Sequence, residues 1–283
     1  ATGEPRLVCA AGKQVRIYDP VAGGEALLVL DAGGHVFALV VFEDPATGAL
    51  RLVCGTSTDN WESGDVRVFD PLVGGDALLV IDVGNKVNAL EVFKDPATGA
   101  PRLACGTGNG PRDGRLGSRD VPVFDPVAGG GALLVLDIGS DVYDLAVFKE
   151  SATSAPRLAC GCYDGKVRVF DAVSGGDALL VLDVGSAVLA LVVFKDLATG
   201  ALRLASGSKD KKVRVFDPVA GGEALVVLEG HTDWVKALTA FTDPATGELR
   251  LVSGSDDSTV RVWNPAASGA AIEVEPEGHS GIV

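Results

Sequence analysis

Residues 155–194 read APRLACGCYDGKVRVFDAVSGGDALLVLDVGSAVLALVVF, and this stretch contains the pattern that decides the fold. Four short segments in it are rich in β-branched, aromatic and other apolar residues, at 155–161, 166–171, 177–183 and 187–194. Turn signals made of Gly, Asp and Ser separate these segments, and none of them shows a helical period over about ten residues. The stretch therefore predicts four consecutive β-strands.

Near-copies of this unit run through the whole chain of 283 residues. They begin at Ala1, Ala46, Ala97, Ala152, Ala198 and Ala245, so successive repeats are 45, 51, 55, 46 and 47 residues long before a shorter last one. Four strands in a repeat of about this length are typical of a β-propeller blade, which packs on its neighbours. We therefore expect a single all-β domain over residues 1–283.

The charge balance disfavours two classes of partner. Lys and Arg total 24 against 38 Asp and Glu, which leaves a net charge of -14. A protein this acidic repels phosphate backbones and anionic lipid surfaces at long range. Apolar stretches are also far shorter than the roughly 18 residues that span a bilayer. We expect neither nucleic acid nor a membrane as a partner.

The cysteines, and the absence of methionine, bear on the compartment and the origin of the chain. Cys9, Cys54, Cys105 and Cys160 occupy the same place in four repeats, and Cys162 has no obvious mate. Equivalent positions in separate blades do not meet, so we expect buried free thiols and an intracellular, cytoplasmic location. The chain contains no Met. This absence suggests a processed chain or a piece of a longer array.

Residues 229–265, EGHTDWVKALTAFTDPATGELRLVSGSDDSTVRVWNP, resemble a WD repeat. The resemblance is carried by the Gly-His pair at 230–231, the Ser-Gly-Ser-Asp-Asp run at 253–257 and a following Trp. In that family a His, a Ser, an Asp and a Trp form a hydrogen-bonded chain inside a blade, which here implies His231, Ser253, Asp257 and Trp263. We interpret this tetrad as structural rather than catalytic, because a buried indole N–H needs an acceptor and a carboxylate fixes the imidazole tautomer.

The other repeats depart from this pattern. The aromatic residues at the Trp263 position are Tyr18, Phe69, Phe124, Phe170 and Phe216. The Ser position is Cys in four repeats, and His35 directly precedes Val36, so it is not equivalent to His231. A ring without an N–H needs no hydroxyl partner, and a thiol behaves as a small hydrophobe. We expect apolar packing to replace the hydrogen bonds in these blades.

In WD-repeat propellers the strands of a blade are called a to d from the inside outwards, and this resemblance implies the order b-c-d-a for each repeat. Six sets of b-c-d occur with only five strands a, and EGHSGIV at 277–283 aligns with EGHTDWV. We expect a propeller of six WD-like repeats with four-stranded antiparallel blades, in which the closing blade lacks most of its inner strand. Either the ring closes with that three-stranded blade, or the chain belongs to a longer array.

Candidate binding residues lie in the variable b–c and d–a connections. The second and third repeats hold insertions at 56–65 and 107–120. The first contains Trp61, and the second contains Arg112, Arg115 and Arg119. Trp and Arg anchor protein interfaces through large contact area and bidentate hydrogen bonds. Drift of long loops without a function is the alternative.

The start of strand a supplies further candidates. A Val recurs there, and alternation places the two residues that flank it on the opposite side of the strand, at the mouth of the channel. Trp234, Lys236 and Tyr143 are flanking residues, and Trp234 is the strongest contact candidate. Asp141 could join neighbours in a cation site, a weaker hypothesis.

No spacing of His, Cys or acidic residues suits a catalytic centre or zinc, and no Gly-rich loop leads into a helix. We expect no enzyme activity, no cofactor and no metal. By resemblance, the leading hypothesis is a protein–protein interaction scaffold that binds a peptide or protein segment on the face formed by the b–c and d–a loops. The alternatives are a small-ligand or glycan-binding propeller and a sensor array from a larger multidomain protein. A closed ring would be a monomer.

Overall fold

The computed structural model describes residues 4–61, 63–108, 119–150, 153–265 and 272–274. These residues form β-strands connected by turns, and no helix in them is long and apolar enough to cross a membrane. The chain divides into two compact units, Ala1–Asp141 and Val142–Val283. Each unit contains three antiparallel sheets of its own. The expectation of one domain over 1–283 stays a prediction.

The first unit holds sheets 1 to 3. Sheet 1 consists of β1 (Leu7–Ala11), β2 (Gln14–Tyr18) and β3 (Leu28–Asp31). Sheet 2 consists of β4 (His35–Glu43), β5 (Leu50–Ser57), β6 (Asp65–Phe69) and β7 (Leu79–Asp82). Sheet 3 consists of β8 (Val87–Lys94), β9 (Pro101–Thr107), β10 (Asp120–Phe124) and β11 (Leu134–Asp137).

The second unit holds sheets 4 to 6, each with four strands. Sheet 4 consists of β12 (Val142–Lys149), β13 (Pro156–Cys162), β14 (Lys166–Asp171) and β15 (Leu180–Asp183). Sheet 5 consists of β16 (Val188–Lys195), β17 (Leu202–Ser208), β18 (Val213–Phe216) and β19 (Val226–Leu228). Sheet 6 consists of β20 (Val235–Thr242), β21 (Leu249–Ser255), β22 (Val260–Trp263) and β23 (Ile272–Val274).

The predicted all-β class, strand order and antiparallel pairing are confirmed. In every four-stranded sheet the strands pair in the order a-b-c-d, and strand a comes from the end of the preceding repeat. Among the described residues sheet 1 has only strands b, c and d, as expected. Strand d is shorter than predicted, since β15 begins at Leu180 rather than 177. Gly175 and Gly176 take positive φ values of 67° and 88°, so the turn extends further along the chain.

We call the a–b and c–d connections the turn ends of the sheets. Their hydrogen bonds and ion pairs explain why the same short motifs recur in the sequence. In sheet 2 the Asp44 carboxylate accepts a hydrogen bond from the Ala46 N–H at 2.9 Å, which lowers the pKa of Asp44. Gly48, at a φ of 68°, donates its N–H to the Asp44 carbonyl oxygen at 2.8 Å. Arg51 lies 3.6 Å from both Asp44 and the c–d turn residue Asp70. The repeated Asp, Gly and Arg therefore fix the turns.

Neighbouring sheets pack through a glycine of strand b and the recurring valine of strand a. A Cβ atom on Gly161 would lie 2.9 Å from Val188 Cγ1, and one on Gly207 would lie 2.7 Å from Val235 Cγ1. Both valines are fully buried. In the first unit Gly55 stands in the same relation to strand a of sheet 3. At Gly55, Gly161 and Gly207 the glycine that follows Cys or Ser in strand b is thus required by packing.

Strand a contains a β-bulge that the alternation pattern did not predict. The register shifts between Val188 and Ala190 in sheet 5, and at the equivalent place in the other strands a. Two residues of strand a therefore face one residue of strand b. The flanking residues also differ between sheets: Trp234 is 39% exposed, whereas Leu189 is buried. Alternation alone does not decide which flanking residues reach solvent.

One expectation about the thiols is wrong. Cys54, Cys105 and Cys160 are fully buried, but Cys9 is exposed. Among the described residues β1 pairs only with β2, so no strand a covers its other edge. All five cysteines are free, and burial raises the pKa of Cys54 to about 12.

Candidate functional site

The tetrad residues form a continuous hydrogen-bonded chain inside sheet 6. The Trp263 Nε1–H donates to Ser253 Oγ at 2.8 Å, and Ser253 Oγ lies 2.7 Å from His231 Nε2. On the other side of the ring His231 Nδ1 lies 2.8 Å from Asp257 Oδ2. Every group is satisfied if Nδ1 carries the ring proton and the Ser253 hydroxyl donates to Nε2. This hydrogen-bonded chain links His231, in the d–a connection, to strands b and c.

Asp257 is held ionised at the end of this chain. Burial alone would raise the pKa of Asp257, but hydrogen bonds from the Thr259 hydroxyl and the Thr232 N–H, together with that from His231, outweigh it and hold the pKa well below its usual range. The imidazole of His231 has no exposed surface. No substrate can reach this imidazole, so the geometry is that of a structural network.

The fifth repeat breaks the expected match between the aromatic residue and its partner. It keeps a serine, Ser206, where four repeats have cysteine, but its aromatic residue is Phe216. Ser206 is fully buried, and its Oγ has no hydrogen-bond partner among the described residues. The hydroxyl is therefore desolvated without compensation.

In the first unit the insertion of sheet 2 brings Trp61 onto the start of strand a. Trp61 stacks on His35 with ring centroids 5.5 Å apart and meets the edge of Phe37 at 5.2 Å. The ammonium of Lys86 lies 3.8 Å from the Phe37 ring centroid and 5.0 Å from that of Trp61. Trp61 itself is partly buried and adopts a positive φ of 64°, which costs a residue with a side chain about 1–2 kcal/mol. Trp61 is therefore one wall of an aromatic cluster rather than an isolated side chain.

Of the three arginine candidates in the third repeat, Arg119 lies among the described residues. Arg112 and Arg115 lie outside the described residues. Arg119 lies at the end of the insertion, 42% exposed, with its Nε 3.7 Å from Asp141 Oδ1. Asp141 thus faces a cation of its own unit. Among the described residues no three His, Cys, Asp or Glu side chains gather in a group that could hold a metal ion.

In the second unit the predicted residues Tyr143, Trp234 and Lys236 lie on one surface that crosses sheets 4, 5 and 6. Tyr143 contacts Tyr163 at 5.9 Å between ring centroids. Lys209 places its ammonium 4.5 Å from the Tyr163 ring and 4.3 Å from the Trp234 ring. Lys236 lies 5.3 Å from the centroid of the Trp234 ring. We call Tyr163, Lys209 and Trp234 the aromatic–lysine row.

Two members of this row, Tyr163 and Lys209, were missed by the sequence analysis. Both occupy the third position after the Cys or Ser of strand b, just beyond the end of the strand. Across the six repeats that position reads Gly12, Ser57, Gly108, Tyr163, Lys209 and Asp256. A position that holds five residue types across the six repeats, beside framework residues that hardly change, was the available signal.

A partly buried carboxylate joins two inner strands of the second unit. Asp144 of β12 accepts the Leu191 N–H of β16 at 2.7 Å and the Leu145 N–H of its own strand at 2.9 Å. Burial raises the pKa of Asp144 to about 6, although both hydrogen bonds oppose this shift. The equivalent residue is alanine in the other four strands a.

Two cavities of the second unit lie at the turn ends, away from the aromatic–lysine row. One of about 540 Å³ between sheets 5 and 6 is lined by Phe194, Arg203 and Leu225 among others. Another of about 230 Å³ between sheets 4 and 5 is lined by Phe148 and Arg157, which hold the same places in the preceding repeat. These are repeated pockets with a shared side-chain set.

Comparison with known proteins agrees with this architecture. The WD domain, G-beta repeat family matches residues 136–171 and 222–264. No curated protein sequence matches the chain. Two crystal structures of BBS1N in complex with ARL6DN, soaked with lead or with mercury, are similar with TM-scores of 0.67 and 0.68. In both, the identity is 15%, and the alignment covers 96% of this chain and 77% of that chain.

At this identity the likeness shows the fold alone. The matched segments contain strands of sheets 4 and 6, including the complete tetrad of sheet 6. Together with the antiparallel order of the sheets, they confirm the resemblance: residues 136–171 and 222–264 are WD40 repeats, and the chain has a β-propeller fold.

Proposed function

We propose that this protein is a non-catalytic scaffold that binds a protein or peptide segment at the loop ends of its sheets, the ends that carry the b–c and d–a connections. The observation that supports this proposal most strongly is the contrast between the turn ends and the loop ends of the sheets. At the turn ends Arg and Asp repeat the same bonds, as when Arg157 pairs with Glu150 at 2.7 Å and Asp171 at 2.6 Å. At the loop ends unique aromatic and cationic residues form clusters around Trp61 and Trp234.

The family and the fold support a protein partner. WD40 propellers commonly mediate protein interactions, and BBS1N was crystallised in complex with a protein, ARL6DN. Partly exposed Trp and Tyr provide large contact area at small entropic cost, which is why they anchor interfaces. The net charge of -14 supports a protein rather than nucleic acid or an anionic membrane. Free cysteines support an intracellular location.

Site-specific photocrosslinking tests this proposal. A photoreactive benzoylphenylalanine replaces Trp234 at the loop ends or, as the matched control, Val219, which is 50% exposed at the turn ends. We expect a defined protein to crosslink from position 234 and not from position 219, and to bind the purified wild-type protein. Crosslinking to the same protein only from position 219 would contradict the proposal.

A small-ligand or glycan-binding function is the second candidate, and the repeated cavities at the turn ends favour it. Equivalent pockets lined by Phe194 with Arg203 and by Phe148 with Arg157 offer the same groups to a repeated ligand. Binding to a glycan array, lost in the Arg203→Gln variant and kept in the Trp234→Ala variant, would favour this candidate over the scaffold.

A further inference from the structure

The aromatic–lysine row holds a cation between two exposed rings. Lys209 Nζ lies 4.5 Å from the Tyr163 centroid and 4.3 Å from the Trp234 centroid. Tyr163 is 40% exposed and Trp234 is 39% exposed. Each ring comes from a different sheet, and Lys209 from the sheet between them. Cation–π attraction to two rings therefore fixes the ammonium at a defined point of the surface.

Lys209 differs from the neighbouring cations in its pairing with carboxylates. Cations on the same sheets pair with carboxylates at 2.6–2.7 Å: Arg168 with Asp164, Arg214 with Asp210, and Lys212 with Glu229. Among the described residues no carboxylate pairs with Lys209, although the whole chain has 38 acidic side chains. Asp256, in the b–c loop of sheet 6, lies 3.6 Å from Lys236.

This arrangement suits an anion flanked by apolar groups. The rings contact the ammonium by their faces and offer it no oxygen or nitrogen acceptor, so an N–H donor that points away from the rings is available to an acceptor. A carboxylate that reaches Lys209 would form a charge-assisted hydrogen bond beside partly desolvating aromatic surface, where such bonds are strongest. A cationic side chain would instead have to displace Lys209 from between the rings.

Building on the proposed function, we infer that the bound segment carries a carboxylate side chain that pairs with Lys209, next to apolar side chains that pack on Trp234 and Tyr163. The partner is therefore a peptide segment in which a Glu or Asp side chain stands beside apolar side chains. Lys236, 5.3 Å from the Trp234 ring, already pairs with Asp256 at 3.6 Å, so Lys209 is the cation that the carboxylate meets.

A displayed library of random peptides about 12 residues long, selected on the full chain, tests this inference. The variants are Lys209→Gln, Trp234→Ala and the matched control Lys211→Gln, which removes the same charge from an exposed residue of the same loop. The enriched peptides are then synthesised with Glu or Asp and with Gln or Asn in their place. We expect acidic residues beside apolar ones, and affinity about tenfold lower for Lys209→Gln or for the amide peptide, but within about twofold for Lys211→Gln.

The outcomes separate this inference from the proposed function. If the enriched peptides show no acidic excess, or if Lys209→Gln and Lys211→Gln weaken binding equally, the carboxylate inference is wrong. In that case a loss of binding in Trp234→Ala would still support the loop ends as the binding surface. If binding survives both Trp234→Ala and Lys209→Gln unchanged, or if no peptide is enriched, both the inference and the proposed surface are overturned.

Discussion

Replacing Ser253 by alanine removes the hydroxyl that joins Trp263 to His231 in sheet 6. Ser206 of sheet 5 offers a matched control, because it occupies the equivalent place, is equally buried and belongs to the same unit. The two hydroxyls differ only in their partners. Ser253 Oγ has bonds of 2.8 Å and 2.7 Å, whereas Ser206 Oγ has no partner among the described residues.

The magnitudes follow from these partners. Without Ser253, the buried indole N–H of Trp263 loses its acceptor, and His231 Nε2 loses its donor. An unsatisfied buried group costs about 1–3 kcal/mol, so the Ser253→Ala variant should lose about 2–4 kcal/mol of unfolding free energy. The Ser206→Ala variant removes an uncompensated polar group and should gain about 1 kcal/mol.

Urea unfolding followed by circular dichroism measures both changes, and the slope against urea should stay constant. The indole N–H signals of the three Trp residues provide a second observable. We expect one slowly exchanging indole signal, from Trp263, which loses its protection in Ser253→Ala. If both variants lost stability by similar amounts, or if Ser253→Ala cost less than about 0.5 kcal/mol, the reasoning from hydrogen-bond partners would be refuted.

Three further perturbations test the packing of Gly161, the carboxyl of Asp144 and the exposure of Cys9. Gly161→Ala should destabilise the protein by about 1–3 kcal/mol, because the new Cβ would lie 2.9 Å from a valine side chain. Gly254→Ala should be tolerated, since the nearest atom to its Cβ would lie at 3.6 Å. Thermal unfolding of the two variants compares these effects. Since the pKa of Asp144 is raised to about 6, native protein binds its proton more tightly, so stability falls as pH rises from about 4 to 6. Relative to Asp144→Ala, wild type should lose about 1–3 kcal/mol over this range in urea titrations at each pH, and parallel curves would contradict the assignment. Cys9 alone should react quickly with a thiol reagent in the native protein, and fast labelling of Cys54 by peptide mass mapping would contradict the burial pattern.

The repeats made the architecture predictable from the sequence. Strand segments, turn residues and the order b-c-d-a follow from local sequence patterns, and the same patterns occur in each repeat. The tetrad geometry is also local to one sheet, so the resemblance of residues 229–265 was sufficient to place His231 beside Ser253.

Features that depend on neighbouring sheets could not be read from these patterns. The aromatic–lysine row needs residues from three repeats at one surface, and Lys209 is separated in sequence from both Tyr163 and Trp234. The bulge in strand a depends on pairing register rather than on composition. The exposure of Cys9 depends on whether a strand lies beside β1, and its own repeat looks like those in which the thiol is buried.

The central claim is that the loop ends around Trp234 bind a protein segment. The most direct test is the dissociation constant of the selected peptide, or of the crosslinked partner, for wild type, Trp234→Ala and Val219→Ala. We predict binding at least about tenfold weaker for Trp234→Ala and unchanged for Val219→Ala. Equal affinity of wild type and Trp234→Ala, or a loss confined to Val219→Ala, would contradict it.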